Sequence, residues 1–238
     1  MDRRNFLRVL TSAACAPVSL VAAGGPGGNK PPGPAQVLRE LAEGNRRFAT
    51  NHAKHPHSDA VRVRQTWRQG QHPRAAILCC SDSRVAPEIL FDQGIGDLFS
   101  IRVAGNVANE DEVASAEYAV AHLDVGLCVV LGHEECGAVS AAVANEPLPP
   151  EFDHLLSEVR RARDRTTALY PQLQGPELLK ATVRMNVWQA VEDLLRHGPI
   201  LRERLRANRL AIVGAVYHIE NGRVEWLGPH ANQRELAG

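Results

Sequence analysis

The sequence predicts one α/β domain: a mostly parallel β-sheet of about four strands plus an antiparallel edge strand, covered by helices, with an N-terminal helical arm. Three observations lead there. Short apolar runs of strand length alternate with segments of helical periodicity, the pattern of a parallel sheet covered on both faces. The last two strand-like runs flank Asn221-Gly222, a hairpin signal that sets the final strand antiparallel to its neighbour. The 238 residues suffice for one substantial core, and no internal repeat divides them.

In chain order, "MDRRNFLRVL" opens with Arg3, Arg4 and Arg8 ahead of a short apolar stretch from Val9 to Ala23. That stretch is too short and too weakly apolar to span a membrane, but it has the charged and apolar regions of an export signal. The order RRxFLR resembles a twin-arginine signal, with small residues near Ala23 suited to cleavage. Residues 1–23 are therefore expected to direct the chain to the periplasm or the exterior. "GGPGGNKPPGPA" follows, and residues 24–34 read as a Gly/Pro-rich linker to the domain at 35–238. The whole chain has 27 basic and 27 acidic residues; without the signal the balance is about −2. Such a balance offers no basic field for nucleic acid or an anionic membrane.

Within the domain, "VLRELAEGNRRF" places Val37, Leu41 and Phe48 on one helical face. "RAAILCC" is an apolar strand ending at Cys80, and "LFSIRVAG" is a second from Leu98 to Ala104. "EDEVASAEYAVAHL" is helical, with Val113, Ala116, Val120 and Leu123 spaced by three, four and three. "GLCVVLGH" is the third strand, and a helix is expected to start near Cys136. A helix-rich section then carries a sustained stripe of Leu179, Val183, Val187, Val191 and Leu194/Leu195. "LAIVGAVY" is the fourth strand, and "RVEWL" the fifth.

Four cysteines remain beyond the signal, and three residues converge. His133 and Cys136 stand three apart just past the third strand, while Cys80 ends the first. In open parallel sheets, ligands gather outside the carboxyl ends of the strands, so these three can meet there. Two thiolates and one imidazole, with a fourth position available, form a ligand set for catalytic zinc. Cys79 should point to the opposite face of its strand, and Cys128, inside an apolar run, reads as core.

The text around these residues resembles the β-class carbonic anhydrases. Their first signature, Cys-x-Asp-Ser-Arg, stands at Cys80 to Arg84, followed by "VAPEILFDQGIGDLFSIRVAGN". Their second stands as "EYAVAHLDVGLCVVLGHEECG", with Cys128 where an aliphatic residue is more usual. "NVWQAVEDLL" and "GAVYHIENGRVEWL" extend the likeness, so that it covers roughly residues 35–228. The resemblance implies that Cys80, His133 and Cys136 hold one Zn2+ per chain, with water or hydroxide at the fourth site. Reversible hydration of carbon dioxide to bicarbonate and a proton follows from it. Asp82 and Arg84 are then a catalytic dyad: the carboxylate orients the hydroxide, and the guanidinium holds the carboxylate ionised and aimed. Asp82 is also the fourth metal ligand of a closed state known in some members. Gln71, Phe99, Ala104, Tyr118 and the Gly137 N–H match substrate-pocket positions, which the family often shares across a subunit interface. A homodimer or homotetramer is implied, with the N-terminal helix packed on a partner. Arg102 and Tyr217 match two residues of a non-catalytic bicarbonate site, but Ile77 stands where its tryptophan belongs, which argues for an enzyme without that site. His122 lies in range, by sequence, to accept the proton. The competing readings are hydrolysis of carbon disulfide or carbonyl sulfide on the same fold, and a catalytically silent zinc protein.

Overall fold

The computed structural model describes residues 32–147 and 149–238. The export signal expected over 1–23 and most of the expected linker lie outside the described residues. Pro34 occupies the first turn of helix α1 (Pro34–Ala49), where its missing N–H costs nothing. Helix α2 (Ala60–Gln69) follows, then strand β1 (Ala75–Cys79), the single turn α3 (Pro87–Leu90) and β2 (Leu98–Arg102). Next come α4 (Glu110–His122), β3 (Leu127–His133) and α5 (Gly137–Ala144). The helical section comprises α6 (Asp153–Leu169), α7 (Gly175–His197) and α8 (Pro199–Arg206), before β4 (Ala211–His218), β5 (Arg223–Gly228) and α9 (Gln233–Ala237).

The five strands form one sheet in the order β2-β1-β3-β4-β5. The first four are mutually parallel and β5 runs antiparallel to β4, as the alternation of runs and the hairpin signal predict. Strand alternation divides the core. Ala75, Ile77 and Cys79 of β1 join Leu127, Val129 and Leu131 of β3 on the face covered by Val37 and Leu41 of α1. Ala76, Leu78 and Cys80 join Cys128 and Val130 on the face covered by α4, α5 and α7. Every residue of β3 is buried, which explains its unbroken apolar run.

Two details depart from the sequence reading. Strand β2 ends at Arg102 rather than Ala104, because a 3-10 turn over Ala104–Asn106 begins there with Gly105 at φ 76°. The β4–β5 connection is not a two-residue loop at Asn221-Gly222 but a four-residue turn over 219–222, with Gly222 alone at positive φ. Asn221 Oδ1 instead accepts from the Arg223 N–H at 3.0 Å, so its side chain closes the turn without a left-handed backbone. The Val37–Leu41 face of α1 packs on the chain's own sheet, which leaves the opposite face of the helix for any partner. Among the described residues no helix is long and apolar enough to cross a membrane.

Candidate metal centre

Cys80, His133 and Cys136 come together at the carboxyl ends of β1 and β3, as their positions in the sequence predict. Cys80 is the first residue past β1, His133 the last of β3, and Cys136 caps the N-terminus of α5. All three are buried, and one ligand atom from each lies within 4.8 Å of the other two. Cys79, one residue away, sits in the opposite layer of the core, where burial pushes its thiol up to about 12.

The two sulfurs are 4.0 Å apart. Cys80 is the more acidic: the Cys136 S–H donates to it, and with the N–H groups of Gly105 and Asp82 this outweighs the cost of burial. The Gly105 and Asp82 N–H groups approach its Sγ at 3.3 and 3.4 Å. Cys136 is correspondingly raised, since it holds the shared proton beside a negative sulfur and is itself buried. Two thiolates so close repel each other, and a cation between them removes that penalty.

His133 supplies the most direct sign of a metal. Its Nδ1 lies 2.7 Å from the Glu134 carbonyl oxygen. A carbonyl can only accept, so Nδ1 carries the proton and Nε2 carries a lone pair. That Nε2 is fully buried and has no hydrogen-bond partner among the described residues. An unsatisfied buried acceptor costs about 1–3 kcal/mol. A divalent ion that prefers nitrogen and sulfur satisfies it and both thiolates at once, so this donor set fits zinc.

Beside the ligands, Asp82 and Arg84 form a bidentate pair. Arg84 Nε and Nη2 donate to Asp82 Oδ1 and Oδ2 at 3.0 and 2.7 Å, and the Arg84 N–H adds a third bond to Oδ1 at 2.9 Å. These bonds to Arg84 hold the Asp82 carboxyl down to about 2, against partial burial. Arg84 Nη2 also donates to the Glu135 carbonyl at 3.1 Å, tying the loop after β1 to the loop after β3. From the neighbouring strand, Arg102 donates to the Asp82 and Cys80 carbonyls at 2.8 and 3.3 Å.

The remaining pocket positions are dispersed. Ala104 and Gly137 directly adjoin Gly105 and Cys136, respectively half-buried and exposed. Phe99 on β2 and Tyr118 on α4 pair at 6.1 Å between ring centres, and Tyr118 is 49% exposed. Gln71 lies exposed between α2 and β1, with no recorded bond to the ligands. His122 stacks on Tyr118 at 5.0 Å at the end of α4. Ile77 is fully buried in the sheet, which leaves Arg102 and Tyr217 without an aromatic third partner at that position. Sequence reasoning missed the Gly105 N–H and Arg102 as a brace for Asp82. Only the Gly-Asn pair at 105–106, apt for left-handed backbone, could have drawn attention to that turn.

Known proteins share this fold. A carbonic anhydrase family model matches residues 75–224. Carbonic anhydrase 2 of Mycobacterium tuberculosis is 39% identical over 193 residues, 80% of this chain and 91% of that protein. The carbonic anhydrase of Synechococcus elongatus is 36% identical over 79% of this chain and 70% of its own. Among solved structures, the β-carbonic anhydrase of Coccomyxa in complex with acetazolamide superposes with a TM-score of 0.64 at 29% identity, covering 80% of this chain and 86% of that one. A tetrameric β-carbonic anhydrase of Sordaria macrospora gives 0.65 at 25% identity, over 80% and 96%. The fold, the Cys-His-Cys cluster at its strand ends and these relatives agree: the chain is an enzyme of the β-class carbonic anhydrase family.

Proposed function

We propose that the enzyme hydrates carbon dioxide reversibly to bicarbonate and a proton, with one zinc ion per chain held by Cys80 Sγ, His133 Nε2 and Cys136 Sγ. The observation that carries this reading is the buried, unpartnered Nε2 of His133 beside two buried sulfurs. Bound there, the ion supplies a Lewis acid that makes water nucleophilic near neutral pH. The chain's own residues then orient and select. Asp82, kept ionised by Arg84, accepts a hydrogen bond from the nucleophile and aims it. Both Asp82 oxygens are taken up by Arg84, which supports an open arrangement with the carboxylate off the metal. Phe99, Ala104 and Tyr118 supply an apolar wall suited to carbon dioxide, and Gln71 and the Gly137 N–H supply donors to substrate oxygen.

Gln71 and Tyr118 are exposed on a single chain, and this supports a pocket completed by a second copy in a homodimer or homotetramer. The Arg3-Arg4 signal supports export by a twin-arginine-type route. Because such a route carries folded proteins, the thiolates could travel with their metal already in place.

Hydration by the purified mature protein, followed across pH with zinc quantified in the same sample, tests the proposal. The expected result is activity with about one zinc per chain. Asp82→Asn should keep the zinc and lower kcat by about 100-fold or more. A full zinc load with no hydration at any pH would overturn it, and sulfide release from carbon disulfide by the same sample would assign the rival reaction.

A further inference from the structure

We infer that Asn186 of α7 is a positioning residue of the metal centre: it holds the turn Ala104–Asn106 so that the Gly105 N–H donates to Cys80 Sγ. This rests on the zinc reading above and extends it beyond the ligands and the Asp82–Arg84 pair.

The turn does not hold itself. Gly105 and Asn106 have φ of 76° and 45°, two consecutive left-handed residues, an arrangement that L side chains resist. A Cβ on Gly105 would lie 3.1 Å from Val159 Cγ2 and 3.2 Å from Ala138 Cβ, so the position is tightly packed as well as strained. Asn106 Nδ2 is buried without a partner among the described residues, a further cost. Something outside the turn must over-determine it.

Asn186 does this from 81 residues away in sequence. Its Nδ2 donates to the Gly105 carbonyl at 2.6 Å and to Asn106 Oδ1 at 3.3 Å, and the residue is 1% exposed. The Gly105 carbonyl and the Gly105 N–H lie on the two peptide planes that meet at its Cα. Pinning the first, in a turn packed against Val159 and Ala138, restricts the orientation of the second, which reaches Cys80 Sγ at 3.3 Å. Asn186 is itself held rigidly. Its neighbour Val187 is fully buried over two glycines, where a Cβ on Gly132 or Gly214 would lie 2.7 or 2.9 Å from its methyls. The sheet therefore fixes α7, α7 fixes the turn, and the turn supplies an N–H to the sulfur. Partners of metal ligands tune affinity and orientation in this way.

Asn186→Leu and Asn186→Ser remove the donor, and Val191→Ala, a buried change on the same helix, controls for lost packing. Zinc affinity is read by competition with a chromophoric chelator, and stability of the metal-free proteins by urea. Both Asn186 variants should raise the zinc dissociation constant about 10- to 100-fold, while Val191→Ala stays within about twofold despite a lower urea midpoint. In cobalt-substituted protein, the thiolate-to-metal charge-transfer band of the Asn186 variants should move to longer wavelength, because a sulfur with one hydrogen bond fewer gives up an electron more readily. Folded Asn186 variants that bind zinc as tightly as wild type overturn the inference alone, as does equal loosening by Val191→Ala. Wild type that takes up no zinc overturns the metal reading with it. If neither Asn186 variant folds, cadmium-loaded wild type decides. NMR coupling between the Gly105 amide proton and the metal through Cys80, together with a slowly exchanging Asn186 side-chain amide, supports the inference, and the absence of either overturns it.

Discussion

Cys79 and Cys80 are covalent neighbours with opposite chemistry, and the alternation of a strand separates them. Cys79 packs with Ala75, Ile77 and Leu131, and burial pushes its thiol up to about 12 despite the Arg102 charge nearby. Cys80 turns to the other layer, where N–H and S–H donors stabilise its thiolate. One sulfur is a small core side chain, and the other is a ligand prepared for a cation. Replacing each by alanine should separate the roles. Cys79→Ala should retain a full complement of zinc and lose about 1 kcal/mol of stability, the scale of a small core truncation. Cys80→Ala should purify without zinc. Metal content by atomic absorption and the urea midpoint check both, and zinc loss from Cys79→Ala would contradict the division.

Among the helices, α1 is attached by a single buried amide more than by its length. Asn45, 4% exposed, donates to the Leu90 carbonyl at 3.1 Å and the Gly222 carbonyl at 2.9 Å, and accepts from the Val224 N–H at 2.8 Å. One side chain thus joins α1 to α3, to the end of the β4–β5 turn and to β5. Asn45→Ala would strand two acceptors and a donor, at about 2–4 kcal/mol. A urea midpoint unchanged from wild type would show that water replaces the amide at little cost. The contrast between α1 and Asn45 also marks what the sequence made legible. Strands, helical stripes and the three ligands could be read because each follows a short-range rule: period two, period 3.6, or a place at a strand end. Sequence reasoning missed helix α2, although Ala60, Val63 and Trp67 stand at helical spacing, and none of its residues is buried in the core. Asn45 and Asn186 read as polar positions on amphipathic helices, because their partners lie 45 to 179 residues away. The exposed Gln71 and Tyr118 are matched by resemblance alone, and on the proposed reading a second chain completes their surroundings.

The zero net charge of the chain conceals a directed set of ion pairs that fasten its N-terminal helices to the sheet. Arg62 of α2 pairs with Asp97 at 3.0 Å, just before β2, and His57 reaches the same carboxylate at 2.7 Å. Arg47 of α1 meets Asp92 at 2.6 Å, and the Asp92 side chain is fully buried. Burial alone would raise the Asp92 carboxyl, but Arg47 and the N–H groups of His55 and Lys54 outweigh it and hold the group below its ordinary 3.8. The sign of the pH dependence follows. In the unfolded chain Asp92 titrates near its ordinary value, and in the fold it titrates lower. Its contribution is therefore complete above that ordinary value and is lost as pH falls from there through the folded value. Asp92→Asn keeps the shape but removes the charge, and should cost about 2–4 kcal/mol at neutral pH. Thermal midpoints of wild type and variant, measured at one protein concentration, should differ by a constant amount from neutrality down to about pH 5 and begin to converge below about pH 4. Other acids that titrate in this range act on both proteins alike, so convergence isolates Asp92. A gap that persists unchanged into acid would mean that the cost comes from altered packing, and that the carboxylate charge does not fasten α1.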